Sequence, residues 1–148
     1  MPYLAHFNIA RLLHPLEHPK TFEFANNLDR INVLAEQSEG FVWRLKEDSG
    51  NATDIHAYDD ELIIINMSVW KSIDHLKKYS YKTEHADFIR KRKLWFEPHA
   101  GAYMVLWWID PNHVPTIEEA KIRLEYLDKN GESDYAFTFR KIFEPSIV

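Results

Sequence analysis

The segments of this chain that alternate like β-strands carry apolar side chains on both of their faces, and this feature constrains the fold most. In one segment Phe41 and Trp43 alternate with Val42, and in another, isoleucines occupy the successive positions 63–65. A strand with one solvent-exposed face would instead alternate between apolar and polar residues. Both faces of the sheet are therefore expected to be covered, because a large apolar patch is rarely left in contact with water.

Periodicity predicts four strands and four helices along the 148 residues. Alternating or continuously apolar segments predict strands at 3–10, 41–46, 62–69 and 102–109. Apolar residues at helical spacing predict helices that begin after the capping residues Thr21, Ser72, Thr83 and Thr116. The polar residues 47–53 predict a hairpin turn, and residues 135–139 predict either a fifth strand or an ordered tail.

The order of these elements predicts an α+β fold. Strand, helix, strand, strand, helix and strand in succession form the split βαβ, or ferredoxin-like, pattern, with an antiparallel sheet and helices on one face. Residues 3–109 would form this core, and residues 110–148 a C-terminal helical extension of the same single domain. A second copy of the sheet is the simplest cover for the face without helices, which predicts a homodimer with facing sheets.

Composition and charge argue against several classes of protein. The chain has no cysteine, which excludes thiol catalysis, and its net charge of -5 argues against nucleic acid as a partner. No secretory signal and no membrane span are recognisable, so a cytoplasmic protein is expected. The basic run 90–93 is interpreted as a solvated helix face. No metal site is predicted, because Pro15 disfavours a helix that would present His14 and His18 together.

Three polar residues are candidates for the chemistry. His85 lies on the apolar stripe of its predicted helix, where its imidazole could act as a base, a donor or a metal ligand. The favoured alternative is a core histidine bonded to a carbonyl or to Asn66. Asn8 lies in a strand, where a buried amide needs a partner, so it could polarise a substrate carbonyl or join the sheet to a loop. The same alternatives hold for Asn66.

Arg44 and several aromatic residues are candidates for substrate binding. If Arg44 points inward it could bind an anionic group with two hydrogen bonds, and if outward, the favoured interpretation, it is an ordinary solvated arginine. Aromatic residues make up 14% of the chain, and two or three of them could line a cavity between a helix and the sheet. The candidates for this wall are Tyr79, Trp70 and Trp95.

Some motifs resemble a known superfamily. The stretch 40–45 (Gly-Phe-Val-Trp-Arg-Leu) resembles the second strand of dimeric α+β barrel proteins, and 69–76 resembles the exit of their third strand. His85 resembles the histidine that follows on the next helix. This superfamily contains the antibiotic-biosynthesis monooxygenases and the haem-degrading monooxygenases. Nearly the whole chain resembles one of its bacterial families of unknown function, through matches at 4–11, 51–53, 94–98, 105–108 and 136–139.

The resemblance implies a cofactor-free, monooxygenase-like enzyme acting on a small aromatic or polyunsaturated metabolite. The substrate would lie between sheet and helices, with His85 moving a proton and with Asn8 and Asn66 holding a carbonyl or enolate oxygen. One alternative is a non-catalytic dimer that binds a small molecule in the same place. Another is a haem-binding protein with His85 as the axial ligand, because haem-degrading members use an asparagine and a histidine that Asn8 and His85 match.

Overall fold

A computed structural model describes residues 1–46, 57–81, 86, 90–98 and 101–145. The four strands are β1 (Tyr3–Arg11), β2 (Phe41–Arg44), β3 (Ile63–Trp70) and β4 (Met104–Ile109). The three helices are α1 (Phe22–Glu36), α2 (Ile73–Ser80) and α3 (Ile117–Asn130). Short 3-10 turns lie at Pro19–Thr21 and Arg92–Leu94. None of the helices described here is long and apolar enough to cross a membrane.

The strands form one antiparallel sheet in the order β2-β3-β1-β4. The two strands that lie on either side of α1 in the sequence are therefore not neighbours, since β3 lies between them. This is the split βαβ arrangement, so the predicted ferredoxin-like α+β fold is confirmed. The predicted turn at 47–53 and most of the helix predicted after Thr83 lie outside the described residues.

Local sequence signals set the start of two of the three helices. Thr116 and Glu119 form a complete capping box at the start of α3, as their spacing predicts. The hydroxyl of Ser72 accepts the backbone N–H of His75 at the start of α2. Thr21 does precede α1, but its side chain makes no capping bond: its backbone is already helical within the preceding 3-10 turn, and its hydroxyl donates to the carbonyl of His14.

The sheet face that carries the odd-numbered residues of β1 is buried and is covered by α3. Ala5, Phe7 and Ile9 of β1 lie there in a single buried cluster. From α3, the residues Ala120, Leu124 and Leu127 enter the same cluster. The sequence predicts that a second copy of the sheet covers this face, but the extension of the same chain does so. The homodimer was predicted because this face needed a cover, and α3 already supplies one. The homodimer itself stays a prediction.

The opposite face packs against α1, α2 and the C-terminal tail. Leu4, Trp70 and Leu106 from the sheet form its buried cluster, together with Phe137 from the tail. Phe137 exchanges two backbone hydrogen bonds with Leu106, of 2.7 and 3.0 Å. No longer ladder extends this single bridge within the described tail, so residues 135–139 form an ordered tail and not a fifth strand.

A bulge in β2 changes which side chains share a face. Strict alternation predicts Phe41, Trp43 and Leu45 on one face, but the pairing register shifts between Phe41 and Trp43. Phe41 consequently lies opposite Trp70 on the α1–α2 side, whereas Trp43 lies on the α3 side. The prediction that these aromatic side chains share a face is wrong, and the bulge is the reason.

Gly40, between α1 and β2, has a backbone that suits glycine alone. Its φ is +83°, and a Cβ there would lie 2.1 Å from Cγ of His75. We expect Gly40→Ala to lower the free energy of unfolding by about 2 kcal/mol or more, measured by urea denaturation, from left-handed strain plus displacement of the ring. Gly131→Ala is the matched control, because φ is +78° there and open space surrounds the position. Equal losses in the two variants would contradict the packing argument.

Glu119 joins α3 to the sheet, and its charge makes this junction pH-dependent. Its carboxylate accepts Trp107 Nε1 at 2.8 Å and contacts His113 Nε2 at 2.6 Å. Burial alone would raise the pKa of Glu119, but the hydrogen bonds from His113 and Trp107 outweigh it and lower the pKa below 4.5. The ionised carboxylate therefore stabilises the fold above the unfolded pKa, and this contribution is lost as pH falls through the lowered folded pKa.

We expect Glu119→Gln to cost about 1–2 kcal/mol near neutral pH, because the glutamine keeps the capping box but loses the charge-assisted bonds. The difference from the wild type should shrink as the pH is lowered below about 4. Urea denaturation across this range measures it, with the neighbouring exposed variant Glu118→Gln as the control. A difference that stays constant with pH would argue against the charge of Glu119 as the cause.

Candidate functional site

A strip of polar side chains crosses the α1–α2 side of the sheet. Ser68 of β3 lies opposite both Arg44 of β2 and His6 of β1. Asn66, two residues before Ser68 in β3, lies directly opposite Asn8 of β1. Directly opposed residues of antiparallel strands point to the same face, so these five side chains form one surface. We call it the polar strip.

Helix α1 crosses this face loosely. At its C-terminal end Ala35, its one buried residue, joins the cluster of Leu4 and Trp70. At its N-terminal end Phe24 contacts Trp95, with ring centroids 5.5 Å apart. The middle of α1 therefore runs over the polar strip, yet Asn66 beneath it is exposed.

The apolar residues of α1 that should pack on the sheet are only half-buried. These residues are Phe24, Ala25, Leu28 and Ile31. Asn8 on the sheet is half-buried in the same way. A helix that seals its sheet would bury such a stripe. Both surfaces are thus incompletely buried where α1 crosses the polar strip, and we call the region between them the cleft.

Two stacked aromatic residues form one end of this cleft. The rings of Trp70 and Tyr79 lie 5.1 Å apart at 25°. The indole Nε1 of Trp70 donates to Ser68 Oγ at 2.9 Å, and the hydroxyl of Tyr79 donates to the carbonyl of Ile31 at 3.4 Å. Burial raises the pKa of Tyr79 well above its usual value, although Arg44 nearby opposes this. Tyr79 therefore stays a neutral hydrogen-bond donor and cannot serve as a base near neutral pH.

Arg44 points inward, contrary to the favoured interpretation of the sequence. Its side chain is 10% exposed, and its Nη2 lies 3.6 Å from Oε1 of Glu36 at the end of α1. Its Nε is buried without a hydrogen-bond partner in the described part of the chain. Glu36 also lies 3.9 Å from Nζ of Lys46. A cavity of about 420 Å³ lies here. The described residues around it are Glu36, Phe41, Val42, Trp43, Arg44, Leu45 and Lys46.

The structure brings together most, but not all, of the predicted site. Arg44, Trp70, Asn8 and Asn66 share one face of the sheet, and Tyr79 of α2 packs on that face against Trp70. His85, the predicted base and possible haem ligand, lies outside the described residues.

Trp95 is buried at the far end of α1, where it packs against Phe24 and Phe96. It closes the cleft there and does not reach the end formed by Trp70. Over the ranges that the structure describes, no three His, Asp or Glu side chains are placed to hold a metal ion.

Glu36 is the residue of this site that the sequence does not reveal. Its position on the helical wheel places it on the polar face of α1, opposite the buried stripe. Only four residues separate it from Phe41, however, and the sharp reversal at Gly40 folds β2 back beside the last turn of α1. The short connection is the one signal that could have placed Glu36 near Arg44.

Residues 3–148 match a family described as "Domain of unknown function (DUF3291)". The chain belongs to this family. The predicted membership of a family of unknown function is confirmed. A comparison with curated proteins finds no match.

Solved structures similar to this chain come from several bacteria. SnoaB, a cofactor-independent oxygenase from Streptomyces nogalater, is 12% identical with a TM-score of 0.48, covering 77% of this chain and 97% of SnoaB. Rv0793 from Mycobacterium tuberculosis is 8% identical with a TM-score of 0.48, covering 77% and 99%. A DABB-family protein with a ferredoxin-like fold from Mesorhizobium loti is 16% identical with a TM-score of 0.45, covering 78% and 99%. None of these likenesses assigns an activity to the DUF3291 chain.

The bond between Ser68 and Trp70 fixes the aromatic end of the cleft. We expect Ser68→Ala to cost about 1–3 kcal/mol of unfolding free energy, because it leaves a buried indole N–H without its acceptor. In a Trp70→Phe background the same substitution should cost far less, since no indole N–H remains. Urea denaturation of the four proteins of this double-mutant cycle gives the coupling. A coupling near zero would show that the bond contributes nothing.

Proposed function

We propose that this protein is a cofactor-free, monooxygenase-like enzyme that binds a small aromatic metabolite in the cleft between α1 and the sheet. The observation that supports this most is the polar strip itself. Hydrogen-bonding side chains lie on the sheet beneath the half-buried stripe of α1, and the Trp70–Tyr79 stack borders them. Ligand sites typically combine an apolar, aromatic wall with a few convergent polar groups.

The roles follow from the positions of the groups. Asn8 and Asn66 lie opposite each other on adjacent strands, so their amides can donate to one oxygen of a planar ligand above the sheet. Trp70 is fully buried and Tyr79 is 9% exposed, so Tyr79 is the member of the stack against which an aromatic ring can pack. His85, placed by sequence alone, is the proposed base. Arg44, Trp70, Tyr79 and asparagine are also the residue types that the superfamily resemblance implies around an aromatic substrate.

The proposed reaction uses the electrons of the substrate itself. Removal of a proton from an acidic CH2 group gives a carbanion whose charge spreads onto a carbonyl oxygen, where the asparagine amides can stabilise it. This carbanion reduces O2 and forms a carbon–oxygen bond to a hydroperoxide. Loss of water from the hydroperoxide then gives a ketone. The balance is CH2 + O2 → C=O + H2O, and both atoms of O2 are accounted for.

A hydroxyanthrone is a suitable probe, because its CH2 group is acidic and its oxidation product is a coloured quinone. We expect the protein to accelerate quinone formation with uptake of one O2 per quinone, measured with an oxygen electrode and by absorbance. Asn66→Ala should lower kcat/KM by at least about tenfold, since a donor to the developing oxyanion is lost. Asn66 is exposed, so this change should leave stability nearly unaltered.

Asn26→Ala is the matched control, because Asn26 is exposed on the face of α1 turned away from the sheet. It should keep wild-type activity. Quenching of tryptophan fluorescence by the hydroxyanthrone without any acceleration of O2 uptake would contradict the enzymatic proposal and favour a non-catalytic binding protein. Equal activity of Asn66→Ala and the wild type would show that the polar strip does not contribute to the reaction.

A further inference from the structure

The cavity at the β2 edge of the sheet contains a buried cation that is incompletely neutralised. Arg44 is nine-tenths buried, and within the described ranges its carboxylate partner is Glu36, whose Oε1 lies 3.6 Å from Nη2. Charge-assisted N–H···O bonds are normally about 2.7–2.9 Å long, so this contact is an ion pair without a good hydrogen bond. The Nε of Arg44 is buried and makes no hydrogen bond to the described residues. A guanidinium taken out of water needs these bonds to offset its lost hydration.

Glu36 is a poor permanent partner for this cation. It is the last residue of α1, where the partial negative charge of the helix terminus opposes a carboxylate. Its side chain is 35% exposed, and both of its ion-pair distances, 3.6 Å to Arg44 and 3.9 Å to Lys46, are long. Such a carboxylate can swing into solvent at little cost, which would free the guanidinium.

The charges around the cavity favour an anion. Among the described residues around it, Arg44 and Lys46 supply two positive charges and Glu36 supplies one negative charge, which leaves one positive charge on a chain whose net charge is -5. The cavity of about 420 Å³ has the size of a small-molecule site. The edge of a guanidinium that carries Nε and Nη2 matches the two oxygens of a carboxylate.

We propose that this cavity is a subsite for the carboxylate of an aromatic acid, and that Glu36 is a specificity-determining residue that competes with this carboxylate for Arg44. The ligand carboxylate accepts hydrogen bonds from Nε and Nη2 of Arg44 after Glu36 moves away. The competition weakens the binding of simple anions, so an acid must also gain contacts from its ring with Phe41, which lies on the same face of β2 as Arg44. The subsite deepens the proposed function, because it names the substrates as aromatic carboxylic acids.

The test measures binding, so it does not depend on turnover. Isothermal titration calorimetry with 2-naphthoate and with the neutral 2-naphthamide gives the dissociation constants of both compounds for each variant. We expect Glu36→Gln to bind 2-naphthoate about tenfold more tightly than the wild type, because the internal competitor is gone. Binding of 2-naphthamide should not change. Arg44→Gln should lose the preference for the acid over the amide.

Glu39→Gln is the matched control, because Glu39 is an 82% exposed glutamate three residues further along. It removes the same charge without touching Arg44 and should leave the affinity for 2-naphthoate at the wild-type value. Equal tightening in Glu36→Gln and Glu39→Gln would overturn the proposal, because it would show a general effect of net charge. Absence of 2-naphthoate binding in both the wild type and Glu36→Gln would overturn it as well.

The two proposals fail in different ways. If the hydroxyanthrone assay shows no oxygenation but Glu36→Gln tightens 2-naphthoate binding, the carboxylate subsite stands and the oxygenase reaction does not. If oxygenation depends on Asn66 but 2-naphthoate binding is insensitive to Glu36, the reaction stands and the subsite does not.

Discussion

The pairing of β1 with both of its neighbours is the interaction on which the rest of the structure depends. β1 is hydrogen-bonded to β3 over eight residue pairs and to β4 over six. Because side chains alternate between faces, this register decides at once what each face carries. Ala5 and Phe7 belong to the buried apolar cluster under α3, and His6 and Asn8 belong to the polar strip under α1. A slip of one residue would bury Asn8 beneath α3, so core packing holds the candidate site in place.

The two faces of the sheet differ in how completely they are buried, because different elements cover them. Helix α3 seals its face, and Ala120, Leu124 and Leu127 are all buried there. Helix α1 is longer, yet of its residues only Ala35 is buried. Its ends contact aromatic residues at opposite ends of the sheet, and its apolar stripe over the polar strip is only half-buried. The incompletely buried part of the sheet therefore lies beneath α1 and not beneath α3.

Sequence patterns predicted the features that depend on local spacing. They did not predict which element covers the second face of the sheet, because more than one cover satisfies the same pattern. The capping box of Thr116 and Glu119 and the topology of the sheet followed from periodicity and element order. The demand for a cover over the second face was also predicted correctly. Nothing in the sequence, however, distinguishes α3 from a second copy of the chain as that cover, since either buries Phe7. The place of Glu36 was missed because helical periodicity describes one helix and not the strand that folds back beside it.

The bulge in β2 explains why Arg44 could not be oriented from sequence. With Phe41 held against Trp70, strict alternation would point Arg44 toward the buried apolar cluster under α3, where its charge would have no counterion. The one-residue shift instead turns Trp43 into that cluster and Arg44 toward Glu36. Bulges are common in edge strands, where the unpaired side imposes no register. This one has no glycine to mark it, and the fold tolerates it because it places an indole in the core and a guanidinium beside a carboxylate.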